Sequence, residues 1–91
     1  MDSLTNILKG IIYKMNQKLF KLNTISQLYD LVKVANNCKN KVLLRQDSFI
    51  VDARSILGIL SLDLFKEVLF EFSDGDKESL DNFFSSYYGE Y

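Results

Sequence analysis

Two short β-prone runs feeding a serine-led apolar helix constrain this chain more than any other feature. Lys41-Val42-Leu43-Leu44-Arg45 and Ser48-Phe49-Ile50-Val51-Asp52 flank the tight turn Gln46-Asp47-Ser48. The pair reads as a β-hairpin. Directly after it, Asp52-Ala53-Arg54 turns the chain and a short helix opens at Ser55. The first N–H groups of a helix lack internal partners, and a serine hydroxyl satisfies one of them. A phosphate at the same place would be held by several N–H groups and by the helix dipole. Ile56, Leu57 and Leu60 then leave more apolar surface than so short a helix easily buries, and Gly58 among them is compatible with close packing.

The rest of the chain supplies the partners of that hairpin. Leu4, Ile7, Leu8, Ile11, Ile12 and Met15 recur at helical spacing behind Ser3, which predicts an amphipathic extension over residues 1–16. Three readings of it stand: a helix packed on the domain, an interfacial or partner-binding segment, or an upstream extension ahead of a start at Met15. The domain proper is expected over residues 17–91. Lys18–Leu22 is a strand by propensity. Thr24-Ile25-Ser26-Gln27 forms a capping box, followed by a stripe of Ile25, Leu28, Leu31, Val32 and Ala35 that ends at Asn36-Asn37. Glu67–Phe72 is a strong strand with Val68, Phe70 and Phe72 on one side. Ser73–Asp76 starts a last helix that buries Leu80, Phe83, Phe84 and Tyr87. The order is βαββαβα. Alternation on the strands predicts an α+β fold, a four-stranded antiparallel sheet with three helices on one face.

Composition narrows the function. Ninety-one residues suffice for one domain with one modest core. A net charge of −1 without a basic block gives nucleic-acid binding no electrostatic support. No apolar run is long enough to span a bilayer, and no secretory signal is read. Cys38 is the single cysteine, which rules out an internal disulfide, fits a reducing cytoplasm and reads as a small packing residue. Histidine is absent, so the sequence carries no histidine catalysis, and one cysteine alone argues against a zinc site. No Gly-rich phosphate loop is present, and the acidic run Asp74–Glu78 lacks calcium-loop spacing. Tyr87, Tyr88 and Tyr91 read as partial packing. No cofactor or metal is expected.

The run VDARSILGILSL closely resembles the regulatory-serine segment of the HPr phosphocarrier family of the bacterial sugar phosphotransferase system, which reads close to NAKSIMGVMSL. The resemblance extends over about residues 17–88. LVKVANN resembles the end of the family's first helix, KVLLRQDSFIVDARSILGILSL its hairpin and second helix, and EVLFEFSDGDKESLDNFF its last strand and helix. It implies an open-faced β-sandwich. It also implies roles: Ser55 as the serine phosphorylated by an ATP-dependent HPr kinase/phosphorylase, Arg54 as its neighbour, and Ile56, Leu57 and Leu60 as a docking patch.

The chain departs from the family where the carrier histidine stands. Of the family's His-x-Arg-Pro run, the histidine position falls on Thr24, the arginine position on Ser26 and the proline position on Gln27. A threonine ester does not match the transfer potential of phosphoimidazole, and the arginine that pairs with that phosphate is missing. Thr24 retains a capping role. The expectation is therefore a non-enzymatic regulatory or binding module in carbon metabolism, similar to the catabolite-repression branch that lacks the histidine and keeps the serine. Its partners would be proteins: a kinase/phosphorylase and a transcriptional regulator or metabolic enzyme. The alternatives are an interaction protein, homodimeric through the N-terminal extension, in which Ser55 only caps, and an atypical phosphotransferase component.

Overall fold

The computed structural model describes residues 15–87. Its elements are β1 (Met15–Phe20), α1 (Ile25–Asn37), β2 (Leu43–Gln46), β3 (Phe49–Asp52), α2 (Ile56–Leu60), β4 (Val68–Ser73), a 3₁₀ turn (Asp74–Asp76) and α3 (Lys77–Ser85). The strands form one sheet in the order β1-β4-β2-β3. Every neighbouring pair is antiparallel. The βαββαβα order and the four-stranded antiparallel sheet are as expected from the sequence.

Period-two alternation sorts the strand residues between two faces. Lys18, Phe70, Leu44 and Val51 lie opposite one another across the sheet. This row faces the helices, and Phe70 and Leu44 are fully buried. The core joins Phe20, Val68, Phe70 and Phe72 of the sheet to Leu28 and Leu31 of α1, Ile59 of α2, and Leu80, Phe83 and Phe84 of α3. All three helices therefore cover the same face. Aromatic contacts lock α3 down: the Phe70 and Phe84 centroids are 5.2 Å apart at 76°, and those of Phe20 and Phe84 are 5.1 Å apart at 47°. The hairpin turns through Asp47, whose φ of 54° is one that a short polar side chain tolerates.

A buried carboxylate ties the α1–β2 loop to the end of β4. Asp76 accepts hydrogen bonds from the Lys39 and Asn40 backbone N–H groups at 2.8 and 3.0 Å, and from the Ser73 hydroxyl at 3.2 Å. Burial works against its charged form, but these hydrogen bonds outweigh burial and hold its pKa below the ordinary carboxylate value.

The N-terminal amphipathic extension falls almost wholly on residues 1–14, outside the described residues. Its last two positions are corrected. Met15 and Asn16 belong to β1, where Met15 pairs with Ser73 and Asn16 with Phe72. Met15 fits a helical stripe only until its ladder partner, distant in sequence, is known. Ile25 is a second correction: it is 60 % exposed. At about 100° per residue it falls off the arc of Gln27, Leu28, Leu31 and Ala35, which α1 buries.

Candidate functional site

The α2 segment is built by its first residue and its glycine. The Ser55 hydroxyl accepts the Gly58 N–H at 3.0 Å, and the Ser55 carbonyl accepts the Ile59 N–H at 3.0 Å. Ser55 is itself exposed. Gly58 admits this arrangement by lacking a side chain. A Cβ there would lie 3.1 Å from Ser55 Oγ and 3.2 Å from Val51 Cβ. The helix thus sits close against β3, and its cap hydroxyl stays open to solvent.

The four apolar residues of α2 divide between inside and outside. Ile59 is fully buried and Ile56 packs half-buried against the core. Leu57 is 81 % exposed and Leu60 is 49 % exposed. Of the three expected patch residues, Leu57 and Leu60 present their side chains to solvent, while Ile56 lies at the margin. Their exposure beside an exposed hydroxyl is the main property of this surface.

Arg54 is held away from Ser55. Its Nε and Nη2 donate to the two Asp52 carboxylate oxygens at 3.1 and 2.8 Å, and its backbone N–H donates to Asp52 at 2.9 Å. The Arg54 side-chain hydrogen bond holds the Asp52 carboxyl below the usual carboxylate range. The guanidinium is an exposed, reorientable cation next to the serine, parked on a neighbouring carboxylate.

Thr24, the residue on which the family resemblance places the carrier histidine, is a cap of α1. Its hydroxyl accepts the Gln27 N–H at 3.1 Å. The Gln27 side chain reaches one residue further back than a capping box requires, accepting the Asn23 N–H at 2.6 Å. Gln27 is 1 % exposed, and its amide nitrogen is a buried donor without a hydrogen-bond partner among the described residues. A shallow depression of about 420 Å³ beside Thr24 is lined by Ile25, Leu28, Leu64 and Phe65 among others. Sequence reasoning missed Phe65, which is 89 % exposed. A phenylalanine beside Leu64 in the short loop between Asp63 and Lys66, where one apolar side chain already packs against the core, is the signal that points to it. Among the described residues, no group of three or more histidine, cysteine, aspartate or glutamate side chains converges as a metal site. Burial, then the nearby Asp76 charge, pushes the Cys38 thiol up, so it does not resemble an activated cysteine.

An open-faced sheet of order β1-β4-β2-β3, three helices on one face and a serine-capped short helix after the hairpin define an α+β protein of HPr-like fold. The chain is similar to the crystal structure of a phosphocarrier protein HPr from Bacillus anthracis str. Ames, with a TM-score of 0.58 and 22 % identity over 76 % of this chain and 92 % of that one. That likeness establishes the fold. No protein-family profile and no curated protein sequence matches the chain. No described helix is long and apolar enough to cross a membrane.

Proposed function

We infer that the chain is a non-catalytic, HPr-like protein-binding module of the phosphotransferase-system class, regulated by phosphorylation of Ser55. One observation carries this reading. An exposed serine hydroxyl opens a short helix whose next outward residues, Leu57 and Leu60, are apolar and solvent-facing. The histidine chemistry of a phosphocarrier has no residue to work on, since the sequence contains no histidine and Thr24 stands in its place. The module acts as a substrate and docking partner rather than an enzyme.

In the modification step the γ-phosphoryl of ATP passes to Ser55 Oγ, ADP leaves and the hydroxyl proton is released. The phosphate adds about −1.5 to −2 charges at pH 7. It arrives beside Leu57 and next to Arg54, where it competes with Asp52 for the guanidinium. A largely apolar surface becomes an anionic one, which is enough to exchange one protein partner for another. The modifying partner is an enzyme of the HPr kinase/phosphorylase type. The regulated partner is a transcriptional regulator or metabolic enzyme, and the setting is the cytoplasm.

Intact mass after incubation with ATP and an HPr kinase/phosphorylase, followed by peptide mapping, tests this reading. Gain of one phosphoryl group on Ser55 is expected. No gain, with a control HPr fully modified, overturns it in favour of an interaction protein in which Ser55 only caps α2.

A further inference from the structure

The turn between β3 and α2 is governed by one carboxylate. Asp52 accepts the Arg54 backbone N–H at 2.9 Å, its Nε at 3.1 Å and its Nη2 at 2.8 Å. The Asp52 carbonyl accepts the Ser55 N–H at 2.9 Å. One residue thus holds both the guanidinium and the backbone of the serine that follows it. Among the described residues, Asp52 is the sole hydrogen-bond partner of the Arg54 side chain. The pair is an open one: the Arg54 side chain is 47 % exposed and that of Asp52 28 %. Water screens such a pair, so the guanidinium leaves it at little cost. Asp52 is not stranded when it does. The Arg54 N–H still reaches its carboxylate. The Lys41 charge, after the Arg54 hydrogen bonds, also favours its ionised form.

We propose, resting on the Ser55 reading above, that Asp52 is a resident rival of the phosphate: Arg54 sits on Asp52 while Ser55 is free and moves onto the phosphate once Ser55 is modified. Arg54 and Ser55 are neighbours, with Cα atoms about 3.8 Å apart, within the sweep of an arginine stem. Both residues are exposed, so the move displaces water and disturbs no core. A phosphate dianion carries more charge than a carboxylate and offers the guanidinium fork the same paired acceptors. The rivalry makes Asp52 a positioning residue. Before modification it parks Arg54 beside the serine. Afterwards it weakens the phosphate's hold on Arg54, because the Asp52–Arg54 pair has to open first. The modified state is therefore easier to reverse than it would be with asparagine at position 52.

The full chain carrying phosphoserine at position 55, installed during synthesis, tests this without any kinase, and so separately from the intact-mass assay. The Arg54 Nε–Hε resonance is compared with that of the unmodified chain, and the ³¹P shift is followed against pH. Phosphorylation is expected to move the Arg54 resonance. Asp52→Asn, which retains an acceptor for the Arg54 N–H, is expected to raise the second acid dissociation constant of the phosphate about threefold, the size of effect an exposed ion pair carries. Asp52→Glu should restore the wild-type value. In an Arg54→Gln chain the Asp52→Asn effect should shrink. Three outcomes overturn the proposal: an Arg54 resonance unmoved by phosphorylation, a phosphate titration indifferent to Asp52→Asn, or an Asp52→Asn effect of full size in the Arg54→Gln chain, which assigns it to charge at a distance alone.

Discussion

Replacing Asp76 by alanine should destabilise the protein by about 3 kcal/mol at pH 7. The carboxylate is 4 % exposed and receives the Lys39 and Asn40 N–H groups at 2.8 and 3.0 Å. Hydrogen bonds to a charged acceptor contribute about 1.5–3 kcal/mol each. Lys39 and Asn40 are exposed residues, so water satisfies part of what alanine removes and the lower value applies to each. Two such bonds give about 3 kcal/mol, or a Tm fall of roughly 12–24 °C for a domain of this size. The pH dependence follows from sign. Hydrogen bonding lowers the folded pKa beneath its unfolded value, despite burial. The part of the contribution that depends on the carboxylate's charge is therefore complete above the unfolded value of about 3.9 and is lost as pH falls through the lower folded value. Urea unfolding followed by circular dichroism at 222 nm, from pH 7 down to pH 2, should show the difference between the wild-type and Asp76→Ala curves narrowing toward the acid end. A difference below about 0.5 kcal/mol at pH 7, or a constant difference across the range, would refute the reasoning.

Ser55→Ala removes the α2 cap and should cost about 1 kcal/mol by urea unfolding, while abolishing phosphoryl gain in the kinase assay. Leu57→Asp, at a position 81 % exposed, should leave stability within about 0.5 kcal/mol of wild type. It should nonetheless raise the KM for the kinase at least several-fold, because the docking patch then carries a charge before modification. Phe70→Ala should cost about 3–5 kcal/mol by the same unfolding assay, since the ring is fully buried between Phe20 and Phe84.

What was legible in the sequence was local. The hairpin, the Thr24 cap and the Ser55 cap each follow from residues within a few positions of one another, and the structure has all three. The inward positions Val68, Phe70 and Phe72 follow from strand alternation alone. Features settled by distant partners were not legible. Met15 fits a helical stripe until Ser73 lies beside it. Helical spacing does not tell which of Ile56, Leu57, Ile59 and Leu60 turns inward; the approach of Gly58 to Val51 decides that, and Ile59 becomes the buried residue. Asp76 reads as an acidic residue at a helix start, yet it anchors a loop 36 residues earlier. Phe65 belongs to no periodic pattern, so no stripe could reveal it.

The account turns on whether the Ser55 surface is where a partner docks. Titrating an unlabelled HPr kinase/phosphorylase into the ¹⁵N-labelled chain and following amide resonances measures that without requiring turnover. The account predicts line broadening centred on Ser55, Leu57 and Leu60, with the outer rows of the sheet unaffected. No broadening at concentrations that saturate a control HPr, or broadening centred on β1 and β3 instead, would contradict it.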